Sequence, residues 1–290
     1  MSLLPLDDRD GVIWLNGNLV PWREAKIHVL SHSLHYGSAV FEGERVYGGK
    51  VFKLTEHSTR LLASGKLLAM DIPYTVAELD AATKLVVSEN KLDSGYVRPI
   101  AWRGAEVIGV SAHGTKVHTA IAAFPWPAYY GDKAIKLKTS KWIRPSPQSS
   151  PTASKAAGLY IICTLARDEA VAAGYNDAFM HDYRGQIAEA TGANLFFVMN
   201  GELHTPTADC FLNGITRQTV IALAKSRGIE VQERAIWPSE LATFEEAFLT
   251  GSAAEVTPIR EIAGLAFKPG KMTEQLMNEF SALTRRKNSA

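Results

Sequence analysis

The sequence predicts an α+β protein of two domains. Segments with strand-like and helix-like patterns are interleaved along its 290 residues without a regular β-α-β rhythm, which favours α+β over a doubly wound parallel sheet. This length is typical of about two domains, each with its own core. A stretch rich in proline, glycine and aromatic residues at 125–132 indicates a boundary. We therefore predict domains at 1–125 and 139–290, joined by an interdomain loop at 126–138.

The composition is that of a soluble globular enzyme. Apolar residues make up 46% of the chain and charged residues 21%, and the formal net charge of +1 provides no basic excess for nucleic acid. No apolar stretch reaches membrane-spanning length, and the acidic first ten residues do not predict a signal peptide. Cys163 and Cys210 form neither a disulfide framework nor a metal-binding spacing. A cytoplasmic location is the simplest expectation.

The first domain is predicted to begin with two hairpins. Asn16-Gly17 divides the apolar runs of 12–20, which is a strong signal for a two-residue turn. Gly48-Gly49-Lys50 divides a second pair of short runs in the same way. Thr55 is predicted to cap the helix that carries Arg60. The remaining elements predicted for this domain are a helix at 76–89 and strands at 96–102 and 117–124.

Three histidines follow the first hairpin. His28, His32 and His35 are spaced by four and three residues, so they would share one face of a helix and could bind a metal ion. However, the segment is rich in serine and lacks a neighbouring Asp or Glu. Packed or hydrogen-bonded rings are therefore favoured, and no metal site is predicted.

The second domain is predicted to open with a strand followed by a helix. Ile161, Ile162 and Leu165 are expected on the apolar side of that helix, and Gly174 is a natural residue to end it. A second helix is predicted to begin at Gly214. The predicted strands of this domain lie at 134–139, 177–181, 186–189, 195–199, 202–204 and 246–250.

A single lysine, Lys155, lies among Ser, Ala and Gly residues at 153–158. Such small neighbours leave room for a flat molecule beside its amine. Desolvation there would lower the pKa of the amine, and a neutral amine is what a Schiff base with a carbonyl compound requires. Taken alone, the segment is more typical of a solvated surface lysine.

Four further features could complete a site for a phosphorylated aromatic carbonyl cofactor. The start of the helix at Gly214 offers free N–H groups to an anion such as phosphate. Gly251-Ser252-Ala253-Ala254 is a turn of small residues, and Arg60 has a planar fork of donors suited to phosphate. Glu189 is an acid flanked by alanines. Each feature has an ordinary structural interpretation when it is considered separately.

Together these features match a known family. From Tyr36 to Thr257 the sequence resembles the fold-type IV pyridoxal-phosphate enzymes, and among them the branched-chain amino acid aminotransferases. The segments that carry the resemblance are HYG and FEG within 35–43, YVRP at 96–99, AAFPW at 122–126, SKAAG at 154–158, EATGANLF at 189–196, GITR at 214–217 and GSAAEVTP at 251–258. The resemblance implies a D-amino acid aminotransferase-like fold, with a smaller N-terminal α/β domain and a larger C-terminal domain that has a β-barrel-like core.

The resemblance also implies how pyridoxal 5'-phosphate is bound. Lys155 would hold the cofactor covalently and would move the proton of the substrate. Glu189 would bond the pyridine nitrogen and keep it protonated. Tyr160 would lie near the phenolic oxygen, and Leu212 would pack on the face of the ring. The phosphate would be bound by Arg60, Gly214, Ile215, Thr216 and Ser252.

For the substrate, the resemblance implies transamination of leucine, isoleucine and valine with 2-oxoglutarate. Tyr96 and the backbone of Ser252-Ala253 would meet the α-carboxylate. Arg98 would bind the distal carboxylate of glutamate, with a structural ion pair as the alternative. Because the family builds its active site at a dimer interface, a dimer or a dimer-based hexamer is implied. The walls of the side-chain pocket would be Tyr36, Phe41, Trp126 and Tyr129.

The sequence departs from the subgroup at two positions and leaves other reactions open. Ala190 and Ala193 replace a glycine and a glutamate that the subgroup commonly has, which puts the substrate preference in question. D-amino acid transaminases, (R)-amine transaminases and aminodeoxychorismate lyase share Lys155 and Glu189 with this chain. The segments at 96–99 and 124–126 favour the branched-chain group. A catalytically idle protein that binds the cofactor is the alternative from another class.

Overall fold

The computed structural model describes residues 5–127, 130 and 134–285. The chain divides into two compact units, one formed by Met1–Pro127 with Ser154–Gly158 and the other by Ala128–Ala153 with Leu159–Ala290. The short segment that contains Lys155 thus belongs to the first unit, although it follows the start of the second along the chain. The domain boundaries at 125 and 139 stay a prediction.

The first unit contains a mainly antiparallel sheet with three helices. The sheet order is β2-β1-β7-β6-β4-β5, and β3 pairs with β6. Its strands are β1 (Val12–Leu15), β2 (Asn18–Pro21), β3 (Ala39–Phe41), β4 (Glu44–Tyr47), β5 (Lys50–Val51), β6 (Ser94–Arg103) and β7 (Val117–Phe124). The helices are α1 (His32–Tyr36), α2 (Leu54–Leu67) and α3 (Val76–Glu89). Both predicted hairpins and the predicted helix at 76–89 are confirmed.

The two long helices of this unit start in different ways. Thr75 caps α3: its hydroxyl accepts the N–H of Glu78, and the Glu78 carboxylate accepts the N–H of Thr75. The prediction that Thr55 caps α2 is wrong, because that helix begins at Leu54 after Lys53 in the left-handed conformation. The hydroxyl of Thr55 instead donates to Asp80, 2.6 Å away on α3. Thr55 thus forms a tertiary contact with α3 and does not cap its own helix.

The second unit is built around a closed barrel. The strands β8, β9, β10, β11, β14 and β15 pair in a ring, because β10 pairs with β9 on one side and with β11 on the other. This arrangement confirms the predicted β-barrel-like core. The strands of the unit are β8 (Ile135–Thr139), β9 (Asp177–His181), β10 (Ile187–Ala190), β11 (Asn194–Met199), β12 (Glu202–Pro206), β13 (Val231–Arg234), β14 (Glu246–Gly251), β15 (Glu255–Ile262) and β16 (Leu265–Ala266).

Apolar side chains fill the core of the second unit. Leu137, Phe179, Leu195, Phe197 and Leu249, from four strands of the ring, are all at most 1% exposed and belong to one cluster. Small barrels are filled by the side chains that point inward from alternate positions of each strand. Function in this unit must therefore lie at the strand ends and in the connections rather than inside the ring.

Three helices cover the barrel: α4 (Ile161–Ala172), α5 (Ile215–Ser226) and α6 (Lys271–Thr284). The prediction that Ile161 and Leu165 lie on the buried apolar side of α4 is wrong, since they are 59% and 37% exposed. The buried residues of the helix are Cys163, Ala166 and Ala170, whose small side chains allow the helix to approach the sheet closely. Gly174, with φ of 82°, follows the end of the helix as predicted. No helix in the described residues combines the length and the apolarity that crossing a membrane demands.

Candidate active site

The backbone around Lys155 is pinned within the first unit. The Lys155 carbonyl accepts the N–H of Phe41 at 3.2 Å, and the Lys155 N–H donates to Ser64 Oγ at 3.0 Å. Ala156 pairs with Val40 as an isolated bridge. These bonds tie the lysine segment to β3 and α2, so the position of the Lys155 side chain is set by regular elements rather than by a free loop.

Gly37 lies in close backbone contact with Gly158 of the lysine segment. Gly37 has φ of 65°, and a Cβ atom there would lie 3.0 Å from the Cα of Gly158. The two backbones thus approach more closely than ordinary side chains permit. This contact requires glycine at position 37, next to the lysine segment.

The amine of Lys155 is held where it can lose its proton easily. Burial and the nearby charge of Arg60 lower the pKa of Lys155 to about 8, although Glu42 acts in the opposite direction. Its Nζ atom lies 4.9 Å from the centre of the Phe41 ring. The lysine is thus poised between amine and ammonium near neutral pH, as a nucleophile or a proton carrier requires.

Arg60 lies in a buried cluster that the sequence did not reveal. Its Nε and Nη2 donate to the two carboxylate oxygens of Glu42 at 2.7 and 2.8 Å, and His57 Nδ1 lies 2.7 Å from the same carboxylate. Burial tends to raise the pKa of Glu42, but Arg60 and His57 outweigh it and keep that pKa well below its usual range. Burial lowers the pKa of His57. His57 lies three residues before Arg60 on α2, so the two side chains share one face of the helix. This spacing is the one feature of the sequence that could have predicted their proximity.

Aromatic residues and one cation form a second group in the first unit. The Arg98 guanidinium lies 4.8 Å from the centre of the Phe41 ring and 5.3 Å from that of Tyr96. Among the described residues no carboxylate forms a salt bridge with Arg98, and both roles expected for it, in binding substrate and in a structural ion pair, stay predictions. The Trp126 ring lies 6.1 Å from that of Tyr96. A Cβ at Gly43 would lie 1.9 Å from the Tyr96 hydroxyl, so only glycine fits below that ring.

The other two predicted pocket residues are Tyr36 and Tyr129. Tyr36, on α1, is 44% exposed and packs against the ring of His32 at 4.6 Å. Tyr129 lies outside the described residues. The predicted hydrogen-bonded histidines are confirmed: His32 Nδ1 lies 2.6 Å from Ser38 Oγ, His35 Nε2 lies 3.0 Å from the Val29 carbonyl, and His28 accepts the N–H of Leu30.

In the second unit, Glu189 is a buried acid held from both sides. It lies near the end of β10 and is 8% exposed. Arg144 Nε lies 3.3 Å from one carboxylate oxygen, and Asn194 Nδ2 donates to the other at 3.3 Å. Burial tends to lower the pKa of Arg144, but the charge of Glu189 and smaller contributions from neighbouring acidic groups together outweigh it, and the pKa is raised. The buried arginine therefore stays charged and favours the ionised carboxylate of Glu189.

Cys163 and Tyr160 lie near Arg144, the cation that contacts Glu189. Arg144 Nη1 donates to the Cys163 sulfur at 3.3 Å, and burial raises the pKa of the thiol to about 11, so the thiol is neutral. Tyr160 is half-buried and comes immediately before α4. Tyr160 acts electrostatically on Arg144 and contributes to the rise of its pKa.

The start of α5 is open to an anion. Gly214 precedes the helix and no side chain caps it, while Ile215 and Thr216 in the first turn are buried. Free N–H groups at such a start favour phosphate. Arg217 is 1% exposed and anchors the turn, because it donates to Asn213, to the Pro206 carbonyl and to Glu233.

The remaining predicted residues lie in connections of the second unit. Leu212 is half-buried just before Gly214, and its carbonyl accepts a hydrogen bond from Asn194 at 3.0 Å. Ser252 and Ala253 are half-buried in the tight turn between β14 and β15. Ala190 and Ala193 close the hairpin between β10 and β11 through a 2.8 Å backbone bond. The two alanines are thus accommodated in a regular turn.

The chain is similar to known proteins along nearly its whole length. Residues 39–262 match the model of the family described as amino-transferase class IV. The chain is 43% identical over 298 residues to the branched-chain-amino-acid aminotransferase of Pseudomonas aeruginosa, in an alignment that covers 99% of this chain and 97% of that protein.

Solved structures are similar to the same extent. The branched-chain aminotransferase of Thermoproteus uzoniensis, solved with norvaline, has a TM-score of 0.92 at 38% identity, with 95% of both chains covered. The branched-chain amino acid aminotransferase of Thermobaculum terrenum, solved in its PLP form, has a TM-score of 0.89 at 32% identity, with 95% of this chain and 94% of that chain covered. These matches confirm the predicted fold.

Proposed function

This chain belongs to the class IV amino-transferase family, and on that premise we propose that it transfers amino groups between branched-chain L-amino acids and 2-oxoglutarate with pyridoxal phosphate as its cofactor. The observation that carries the proposal is the amine of Lys155, which is pinned by its backbone and has a pKa lowered to about 8. The relatives that cover nearly the whole chain are named for this activity.

The residues of the chain fit the cofactor. Pyridoxal phosphate needs a lysine amine, an anion-binding helix start and an acid for its ring nitrogen. Lys155 supplies the first, the uncapped start of α5 at Gly214 supplies the second, and Glu189 beside Arg144 supplies the third. When bound, the cofactor supplies an electron-withdrawing ring that acidifies the Cα–H of the amino acid.

The protein's own groups provide the proton chemistry. Lys155 Nζ can take up and release a proton near neutral pH, because burial and Arg60 lower its pKa to about 8. Arg144 favours the ionised form of Glu189, and a carboxylate at this position can keep a neighbouring ring nitrogen protonated. We assign to Tyr160 the phenolic oxygen of the cofactor and to Leu212 the face of its ring.

The phosphate is assigned to cationic and backbone groups. Glu42 orients the guanidinium of Arg60 through two hydrogen bonds, and the planar cation suits a phosphate group. Ile215 and Thr216 offer the N–H groups of the first turn of α5. Ser252, in its tight turn, completes the assignment.

The aromatic group of the first unit favours an aliphatic side chain. Phe41, Tyr96 and Trp126 provide apolar surface, on which each buried methylene contributes about 0.8 kcal/mol. Arg98 lies among these rings and forms no salt bridge within the described residues, so it can bind the distal carboxylate of glutamate. We assign the α-carboxylate of the substrate to Tyr96 and to the backbone of Ser252-Ala253.

An exposed apolar surface of the first unit supports self-association. It is defined by Ile27, Val29, Leu30 and Leu34 before and within α1 and by Val107, Ile108 and Val110 after β6, which are between 40 and 86% exposed. The His32 N–H donates to the Gly104 carbonyl, so the two segments flank the same end of β6. A group of large apolar residues that are this exposed is typical of a binding surface. We propose that it binds a second copy of the chain.

A cytoplasmic location is part of the proposal. Both cysteines are buried and unpaired, which suits a reducing compartment. Fractionation of the source cells with an antibody to the protein would test the assignment. Recovery of the protein outside the cytoplasmic fraction would contradict it.

The assay that tests the function compares three kinds of amino donor. Purified protein loaded with pyridoxal phosphate should convert L-leucine, L-isoleucine and L-valine with 2-oxoglutarate. It should act much more slowly on D-alanine with 2-oxoglutarate and on (R)-1-phenylethylamine with pyruvate. Borohydride treatment should label Lys155, as detected by peptide mass spectrometry, and Lys155→Ala should abolish both label and turnover. Turnover of the D-amino acid or the amine alone would reassign the substrate class, and no turnover with any donor would leave an idle cofactor-binding protein.

A further inference from the structure

Asn194 is a buried amide whose polar groups are all used. It is the first residue of β11 and is 4% exposed. Its Nδ2 donates to the Leu212 carbonyl at 3.0 Å and to the Glu189 carboxylate at 3.3 Å, while its Oδ1 accepts the N–H of Gly214 at 3.1 Å. The partners fix the orientation of the amide, since a flipped amide would set its donors against an N–H group and its oxygen against a carboxylate.

The three partners of Asn194 belong to different parts of the proposed cofactor site. Glu189 is assigned to the ring nitrogen, Leu212 to the ring face, and Gly214 to the helix start that binds phosphate. A single side chain therefore joins the acid at one end of the cofactor to the anion-binding turn at the other. The span between the two ends is set within one unit of the fold.

Gly214 is matched to this amide. A Cβ atom at position 214 would lie 2.3 Å from Asn194 Oδ1, well inside contact distance. The backbone conformation of Gly214 is extended, with φ of −60°, so glycine is not needed there for its conformational freedom. Glycine is needed for the approach of Asn194.

Both elements are held in the fold by other bonds. The hairpin between β10 and β11 is closed by the backbone bond from Ala190 to Ala193, and β11 pairs with β14 along its length. Arg217 anchors the start of α5 through Asn213 and the Pro206 carbonyl. The distinct contribution of the Asn194 side chain is thus the link between these elements.

We propose that Asn194 is a positioning residue that couples the ring-nitrogen end of the cofactor site to its phosphate end. The inference rests on the proposed cofactor roles of Glu189 and of the α5 start. An anion bound at α5 fixes the position of Gly214. Because Asn194 is hydrogen-bonded to both Gly214 and Glu189, the orientation of the Glu189 carboxylate is then fixed as well. Filling one end should therefore tighten binding at the other, and the coupling is reciprocal.

The experiment fills the two ends with separate molecules. The full chain, stripped of cofactor, is titrated with pyridoxal in the absence and presence of saturating inorganic phosphate, and the dissociation constant is read from absorbance. In the wild-type chain phosphate should tighten pyridoxal binding about fivefold or more, within the usual range of such couplings. In Asn194→Ala the effect should fall below about twofold. Asn278→Ala, at an exposed position of α6, is the matched control and should keep the wild-type ratio.

A second variant guards against misfolding. Asn194→Asp keeps the size of the side chain and the acceptor for Gly214, but it loses both donors and places a charge beside Glu189, so its phosphate effect should also fall below about twofold.

A wild-type ratio in either folded variant, or loss of cooperative thermal unfolding in both, would overturn the inference and leave a purely structural role. A wild-type chain that binds pyridoxal phosphate but shows no phosphate effect would overturn the inference alone. A wild-type chain that does not bind pyridoxal phosphate would end the proposed function and the inference together.

Discussion

Glu42 and Glu44 are two buried acids, two residues apart, whose pKa values are shifted in opposite directions. Burial favours the neutral form of both, but Glu42 receives bonds from Arg60 and His57, which keep its pKa well below the usual range. Neither oxygen of Glu44 has a hydrogen-bond partner among the described residues. Burial, and then the charges of Glu42 and Asp80, raise the pKa of Glu44 well above its ordinary value, while Arg60 only partly opposes them. The buried site of Glu44 therefore favours the neutral form of its carboxyl in the folded protein.

Glu44 should make the stability of the fold depend on pH. The unfolded chain loses this proton near pH 4.5, whereas the folded chain keeps it, so unfolding becomes easier as pH rises from there to the folded pKa, at about 1.4 kcal/mol per pH unit. Glu44→Gln removes the titration. Thermal unfolding of the variant should match wild type near pH 4.5 and occur at a higher temperature than wild type at pH 8.

The matched control for this prediction is Glu89→Gln, at an exposed position of α3. It should follow the wild-type pH dependence. If Glu44→Gln instead lowers the unfolding temperature at pH 8, the carboxyl of Glu44 is ionised and hydrogen-bonded in the folded protein, and the prediction is wrong.

The residues of the site differ in how far the sequence could predict them. Lys155 stands out locally, since its neighbours are all small. Glu42 and Asn194 do not, because most of their partners lie 15 to 20 residues away and meet them only in the folded chain. The roles assigned to Lys155, Glu189 and the phosphate residues stay predictions. Chemistry that depends on residue type can be read from sequence, while chemistry that depends on tertiary hydrogen bonds cannot.

Helices α3 and α4 show the same contrast for whole elements. The bounds of α3 were predictable because its apolar spacing and the capping pair Thr75 and Glu78 are both local signals. The face of α4 was predicted wrongly because large apolar residues suggested the wrong side. Its buried residues are Cys163, Ala166 and Ala170, with Ala170 wholly buried. Close packing selects small side chains there, and hydrophobicity alone does not reveal it.

Enlarging the buried side of α4 should destabilise the protein. Ala170 packs in a small cluster with Ala166 and Ala178, all at most 2% exposed. Ala170→Leu should lower the free energy of unfolding by about 1–3 kcal/mol, because the added methylenes cannot be accommodated without moving the helix. Leu165→Ala, on the exposed side, should change it by about 0.5 kcal/mol or less. Urea denaturation measures both effects. A larger loss of stability in Leu165→Ala than in Ala170→Leu would show that Leu165 lies on the buried side of α4.

At the scale of the whole molecule, each unit builds its own core from a different sheet. The closed ring of the second unit has no free edges between its six strands, whereas the sheet of the first unit is open, with β2 and β5 at its edges. The α+β class and the barrel-like core were predictable from the interleaved elements and from the resemblance. The closure of the ring depends on the pairing of β10 with β11, which strand propensities do not determine.

The exposed apolar surface of the first unit is where the chain should meet a second copy. A stable interface buries about 800 Å² on each partner and is apolar at its centre. Val29 and Val110 are 69% and 86% exposed, which is unfavourable unless they are covered. Burying a carboxylate at either position without a partner would cost several kcal/mol.

The double variant Val29→Asp/Val110→Asp should therefore shift the protein from a dimer or a larger assembly to a monomer, as measured by size-exclusion chromatography with light scattering. Its far-ultraviolet circular dichroism should be unchanged, because both positions are exposed. Val171→Asp, at a position of α4 that is 54% exposed, is the matched substitution outside this surface and should keep the wild-type mass. A wild-type protein that is monomeric at micromolar concentration, or a double variant that keeps the wild-type mass, would show that this surface does not bind a second chain.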